Sequence, residues 1–432
     1  MKVQYAIILL GILTITAWFV WKAKSTVSDH TSLEPFVSDP TAYQNEDAYK
    51  QQVELVTNKY GSTATSKRPV KDVIEKQDDM PESEQNFVNF YALGCRFTGY
   101  IGPMTNGYMD PDVAVQMAVN AGCRVFVLDI DYLDDCVAGT AAAYFPQLVV
   151  RDAQGKLIVR YTSNLPMCNN TQQSNLKTVC DKINQYAFSD ACQQSTDPLV
   201  IVLYFHRQPP GSYKSKTVLD YYSNVAKALA PLQSRMLKNE LDGGTFYRQK
   251  QEDRLLINKI TDYSGKVLIF SNANTSGFRE IAYDPEEDLD FMTNLRLSYT
   301  QTKLGVTDNE SGTTYGVLQT AEDFTTIPQD RMDTVVEQTK LCWTICLAKD
   351  PRQPVSQQTY QQITNKTGVH CVPATLFDPS ANDYLFSDKQ FKTYGFIPKP
   401  KELRYVKPPV VTPGKPNPIT DAKQGKLRAP TL

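Results

Sequence analysis

Histidine is almost missing from this chain. Three occur in 432 residues, His30, His206 and His370, and none lies between the first two. A scarcity of that kind makes a Ser-His-Asp arrangement improbable, and no P-loop or zincin motif is found. Cysteine is present, nine in all, but without CxxC spacing, which leaves no zinc ribbon and no thioredoxin-type site. The odd number also argues against a fully disulfide-bonded ectodomain. Cys342 and Cys346 in CWTIC, with His370-Cys371 downstream, are the one spacing a metal could use, and buried free cysteine is the commoner outcome. Charge of either sign is not in excess. The net value of -2 gives no reason to expect a nucleic-acid partner. No internal repeat stands out.

What is present centres on AGCRVFVLDID, Ala121–Asp131. Ala121 and Gly122 close an amphipathic run. Val125, Phe126, Val127 and Leu128 form a continuous apolar stretch that fits a central parallel strand covered on both faces. Asp129 and Asp131 follow two apart, so an extended backbone points both to the same side.

The ends of the chain have different textures. Val3–Trp21 carries no charge, is flanked by Lys2, Lys22 and Lys24, and is long enough to span a bilayer. Tyr5, Trp18 and Trp21 suit its interfaces. The bulky Trp-Phe-Val-Trp end argues for an uncleaved anchor over a signal peptide. Residues 1–24 are thus expected to form a transmembrane anchor of undetermined orientation, and 25–85 a polar stalk with a short helix around Asp47–Thr57. Residues 86–405 are expected to form the folded domain. Residues 406–432 are proline-rich and basic, a solvated tail or an arm that docks on a protein partner.

Within the domain, Phe87–Leu93 reads as a strand and Pro111–Asn120 as a helix capped by Asp110. Leu148–Arg151 and Lys156–Tyr161 flank a DAQG hairpin signal. NLKTVCDKINQYAF, Asn175–Phe188, has helical periodicity; Leu199–Phe205 and Lys266–Phe270 read as strands, and Thr217–Leu237 as a long helix interrupted at Pro231. Val335–Ala348 and Gly368–Leu376 supply further apolar elements. Strands alternating with helices at this spacing predict an α/β fold, a TIM-type (β/α) barrel, distorted or incomplete, behind an N-terminal transmembrane helix.

Four ordered stretches resemble the X-region of phosphatidylinositol-specific phospholipase C, in the PLC-like phosphodiesterase superfamily. Gly122-Cys123-Arg124 followed by Leu128-Asp129 is similar to that family's GCRxxELD strand. Ile183–Phe188 followed by Pro198–His206, PLVIVLYFH, resembles its PVILSLENH strand. GKVLIF, Gly265–Phe270, is similar to its GKILIK strand, and Gly368–Arg404 resembles its closing segment. The resemblance covers roughly residues 86–405 and implies a barrel whose chemistry needs two histidines as general base and acid, with calcium or an arginine on the phosphate.

Several of those groups are missing. Gly94–Tyr100 holds no histidine where the first is expected, and Tyr161-Thr162-Ser163 none where the second is. Val127 stands at the glutamate of the metal-binding ELD, and Tyr204 at the carboxylate of ENH, which leaves Asp129 and His206. No shift of alignment restores a histidine between 30 and 206. The resemblance therefore implies a degenerate pseudoenzyme with no intact catalytic set. Its residual pocket is expected from Cys95, Arg96, Asp129, Asp131, Arg160, Tyr204, His206 and Arg207. Two alternatives stay open for the acidic run DIDYLDD, which ends in Asp134 and Asp135: a divalent cation, calcium or another, held by Asp129 and Asp131, or a solvated loop with no cofactor. Arg96, Arg160 and Arg207 are candidates for a phosphate or lipid head group.

The functional expectation is a membrane-anchored, inactive barrel serving as a structural or binding component of a membrane-associated assembly, such as a virus particle with an internal membrane. The alternative is a metal-dependent phosphodiesterase with a site rearranged around Asp129, Asp131 and Arg96. Sequons at Asn169, Asn274, Asn309 and Asn365 matter only for a luminal or extracellular domain.

Overall fold

The computed structural model describes residues 46–62, 67–76, 80–103, 107–132, 144–152, 154–157, 159–161, 175–237, 255–281, 284–298, 315–350, 353–386 and 391–406. Seven strands pair in parallel, each beside its neighbour in the chain: β1 (Gly94–Cys95), β2 (Val125–Asp131), β3 (Leu199–Phe205), β4 (Val267–Ser271), β5 (Leu295–Ser298), β6 (Tyr315–Thr320) and β7 (Thr344–Leu347). The segment His370–Ala374 joins the two edges. Cys371 bridges Ile345 of β7, and Ala374 bridges Cys95 of β1, both in parallel. The Ala374 N–H donates to the Gly94 carbonyl at 2.8 Å, and the Arg96 N–H to the Ala374 carbonyl at 2.9 Å. The path of pairing returns to its start, consistent with a distorted (β/α) barrel.

Period-two alternation sorts the strand side chains into two cores. Val125, Val127, Val200, Val202, Leu268, Phe270, Leu295, Leu297, Leu318, Trp343 and Ile345 form the inner one. Phe126, Leu128, Ile130, Leu199, Ile201, Leu203 and Ile269 belong to the outer one, shared with the helices. All seven residues of β2 are buried, which is why it reads as an unbroken apolar run rather than an alternating one.

The helices lie where the periodicity places them. α1 is Glu46–Tyr60, α2 Pro111–Ala121, α3 Asn175–Ala187, α4 Lys216–Ala228, α5 Met332–Leu341 and α6 Gln357–Thr367. Asp110 caps α2, its carboxylate accepting from the Asp112 and Val113 N–H groups, with Pro111 at the first helical position. Gly122 closes the same helix at φ 95°, a left-handed conformation that L side chains avoid. Tyr49 of α1 also donates to Asp110. Asp110→Ala is therefore expected to cost about 1–2 kcal/mol through the cap, read in urea unfolding.

Three expectations are corrected. α4 ends at Ala228 and a 3-10 turn, Ala230–Leu232, follows, because Pro231 cannot continue the ladder. Phe87–Asn89 is a 3-10 turn, and the strand is only Phe90–Ala92, paired antiparallel with Phe396–Pro398. Part of the expected stalk is folded. Val56 and Tyr60 of α1 enter the outer core, and buried Gln52 donates to the carbonyls of Ile101 at 2.6 Å and Phe377 at 2.9 Å. A folded fragment must therefore begin before Glu46, not at residue 86. Among the described residues no helix is long and apolar enough to cross a membrane. The expected anchor, Val3–Trp21, lies outside them, as does the tail beyond Val406.

Candidate functional site

The inward-facing positions of β2 run Val125, Val127, Asp129, Asp131. The first two fill the barrel and the second two reach its C-terminal mouth, on the same side as alternation requires. The register places Asp129 opposite Tyr204 of β3, and two residues further along that strand's direction lies His206. Arg96, one residue past β1, arrives from the other side.

Both carboxylates are already engaged. Asp129, 2% exposed, accepts from Arg96, 6% exposed, with Nε at 3.2 Å and an amino nitrogen at 3.0 Å from Oδ1. His206 Nε2 lies 3.0 Å from the same Oδ1. The Arg96 guanidinium also donates to the Ala348 carbonyl at 3.0 Å and lies 4.8 Å from the Phe97 ring centroid and 5.5 Å from that of Tyr204. Phe97 carries it from a left-handed φ of 58°, an uncommon conformation for an aromatic residue. Asp131 is held by Arg151 Nε at 2.8 Å and by Arg207 Nε at 3.0 Å, and it accepts from the Tyr132 N–H. Arg207 in turn donates to the Tyr132 carbonyl and lies 4.3 Å from the centre of that ring.

Burial alone would raise the Asp129 carboxyl. The Arg96 charge and the His206 hydrogen bond overcome it and hold the group below the usual carboxylate range. Asp129 is therefore an ion-paired acceptor, with no proton to give at neutral pH.

Of the expected pocket, Arg96, Asp129, Tyr204 and His206 form one cluster, with the Tyr204 and His206 rings 4.8 Å apart. Asp131 and Arg207 form a second beside it. Cys95 is not part of either. It alternates with Arg96, so it faces the outer core, where its Sγ lies 3.6 Å from the Thr98 hydroxyl. The Arg160 side chain, Asp134, Asp135 and residues 162–163 lie outside the described residues. Arg151 was not expected. The signal was available, since the DAQG hairpin fixes its position: Arg151 bridges Leu157, and β2 pairs antiparallel with Gln147–Leu148.

The cysteine–histidine spacing does not assemble. Cys346 faces the outer core and Cys371 the inner one, while His370 spends both ring nitrogens on Val88, Lys399 and Thr344. No group of three histidine, cysteine or acidic residues is gathered as metal ligands among the described residues.

No protein-family model and no curated protein matches the chain. Solved structures do. L. pealei PLC21 is 15% identical, with 76% of this chain and 38% of that one covered at a TM-score of 0.48. A calcium-dependent phosphoinositol-specific phospholipase C from a Gram-negative bacterium, Pseudomonas sp, is 13% identical over 74% of this chain and 97% of that one, TM-score 0.44. A putative glycerophosphodiester phosphodiesterase from Galdieria sulphuraria is 8% identical over 69% and 98%, TM-score 0.36. The chain spans about two fifths of the length of the PLC21 proteins it matches. These neighbours are of the PLC-like phosphodiesterase superfamily, the one read from the sequence. At such identities the likeness is one of fold and gives no residue a role.

Proposed function

We propose that this chain is a phospholipase-C-like barrel that no longer cleaves phosphodiesters and serves as a binding or structural module at a membrane. The observation that carries this reading is the Arg96 guanidinium seated on both oxygens of Asp129. A calcium ion takes 6–8 oxygen ligands. Here the inward carboxylates of β2 are bonded to Arg96, His206, Arg151 and Arg207, and the next inward position is Val127. The residues present do not fit calcium. Proton transfer is equally unsupported. His206 is bound to Asp129, and the sequence offers no second histidine at the mouth; losing one acid–base partner already costs two to four orders of magnitude.

The membrane attachment is assigned to Val3–Trp21 and the docking of protein partners to the proline-rich end, 406–432. Both suit a membrane-associated assembly, a virion with an internal membrane among them. Arg207, with a side chain 38% exposed, is the mouth cation best placed to meet a phosphate or lipid head group.

The test is a phosphodiesterase assay on the full-length protein in detergent. Phosphatidylinositol and a chromogenic phosphodiester are offered with and without calcium, beside Asp129→Asn. No turnover above buffer is expected in either protein. Metal-dependent turnover that Asp129→Asn abolishes would overturn the proposal and place a working site at Asp129.

A further inference from the structure

The opposite end of the barrel holds a second buried ionisable cluster, independent of the mouth. Lys399 and His370 are 0% and 1% exposed. Lys399 Nζ lies 2.8 Å from His370 Nε2 and donates to the Thr339 carbonyl at 3.0 Å. His370 Nδ1 accepts the Thr344 N–H at 2.9 Å, so that nitrogen presents its lone pair, and the ring proton of a neutral imidazole sits on Nε2. Nε2 also lies 2.8 Å from the Val88 carbonyl. The one Nε2 proton is shared between that carbonyl and Lys399, and at 2.8 Å Lys399 meets it through the lone pair of a neutral amine. An ammonium would set donor against donor.

Among the described residues no carboxylate is bonded to either base. Around the pair are the Thr339 and Val88 carbonyls, the Trp343 ring stacked on His370, and Gly368. The charged groups of the packed elements include Lys340 of α5, which disfavours a charge on Lys399, Arg404, whose Nε bonds the Lys399 carbonyl, and Lys401 and Glu402, which are exposed on the strap itself. The nearby acids are spent elsewhere, Glu337 on Lys340 and Glu84 on Arg404. Burial pushes both bases down; the Lys399 charge adds to it for His370, and the Lys340 charge adds to it for Lys399.

Lys399 belongs to a strap, residues 394–405, that crosses the base of the barrel. Phe396–Pro398 pairs with Phe90–Ala92, the Lys399 N–H donates to the Asn89 carbonyl, and Asn89 also ties down Tyr405. We propose that the buried Lys399–His370 pair makes this strap an acid-operated latch: the strap, held by its strand pairing and by Asn89, stays closed while the pair is short of protons and is released when the pair takes them up. Release frees the Phe90–Ala92 edge for pairing with another strand.

The sign follows from linkage. The closed strap binds fewer protons than the open one, so acid favours opening. Lys399 contributes about tenfold per pH unit while it is neutral when closed and charged when open. His370 adds about another tenfold per unit below roughly pH 6.5.

Amide hydrogen exchange on the full-length protein between pH 8 and pH 5, corrected for intrinsic rates, tests this. Exchange in 394–405 and 90–92 is expected to accelerate by about three to four orders of magnitude, roughly tenfold per pH unit above pH 6.5 and more steeply below it, while β3 stays protected. In Lys399→Met the dependence above pH 6.5 is expected to vanish. A strap whose protection ignores pH in the unmodified protein would overturn the latch, whatever the fate of the variant. So would loss of strap and β3 protection together, since that is global unfolding, or a folded Lys399→Met with unchanged pH dependence.

Discussion

Arg96→Met is expected to destabilise the protein by about 3–5 kcal/mol, the largest loss of any single change at the barrel mouth. The substitution keeps an unbranched apolar stem and removes the guanidinium with its charge. Asp129 is then left 2% exposed with His206 as its remaining side-chain partner among the described residues. Arg96→Met/Asp129→Leu, which removes both charges and continues the apolar interior of Val125 and Val127, should recover most of the loss. Urea unfolding of the three proteins reads the difference. The unmodified protein has a matching pH signature. Asp129 is held below its unfolded value, so its contribution is complete above about pH 4 and is lost as pH falls through the folded value. In the double variant that acid-sensitive component should be absent. Equal stability of Arg96→Met and the unmodified protein would mean that the guanidinium does not neutralise Asp129, which would leave that carboxylate open to a cation.

The parts of the fold written as continuous apolar runs were legible in the sequence. β3 falls where Leu199–Phe205 was read, and β2 fills the run that ends in Asp129 and Asp131, because a strand buried on both faces has no polar position to blur it. Asp110-Pro111 at one end of α2 and Gly122 at the other are local signals that tertiary structure did not override. α1 was legible only as a short helix, Asp47–Thr57, in a stalk. Its mean composition is polar, and it is held by scattered groups: Val56 and Tyr60 in the core, Tyr49 on Asp110, Lys59 on Asp383, and the Gln52 amide on two backbone carbonyls 49 and 325 residues away. No local pattern encodes partners at that distance. The mouth divides in the same way. That Asp129, Asp131, Arg96, His206 and Arg207 meet followed from strand ends in a barrel. Which cation sits on which carboxylate did not, since pairing depends on the hairpin that brings Arg151 to Asp131 and on the one-residue alternation that turns Cys95 away from Arg96.

Lys399→Met is expected to act in the opposite direction, stabilising the protein by about 1–4 kcal/mol near pH 7.5. In the unfolded chain the amine is charged below roughly pH 10.4. In the folded chain it faces the Nε2 proton of His370 in a site with no carboxylate, and burial lowers it well below that value. Folding near neutral pH therefore releases a proton against the solution. A base depressed by folding gives stability that grows as pH rises towards its unfolded value, so the cost is present throughout the physiological range. Methionine fills a similar linear volume and carries no proton. It gives up two hydrogen bonds, to the Thr339 carbonyl and with His370 Nε2, at about 1 kcal/mol each. Between pH 7 and 9 the unmodified protein should gain about 1.4 kcal/mol more per pH unit than Lys399→Met. If the amine is instead charged in the folded state, the two stability curves will run parallel and the variant will be the weaker protein at every pH. The slope therefore separates a lysine that is merely buried from one that has given up its proton to close the barrel base.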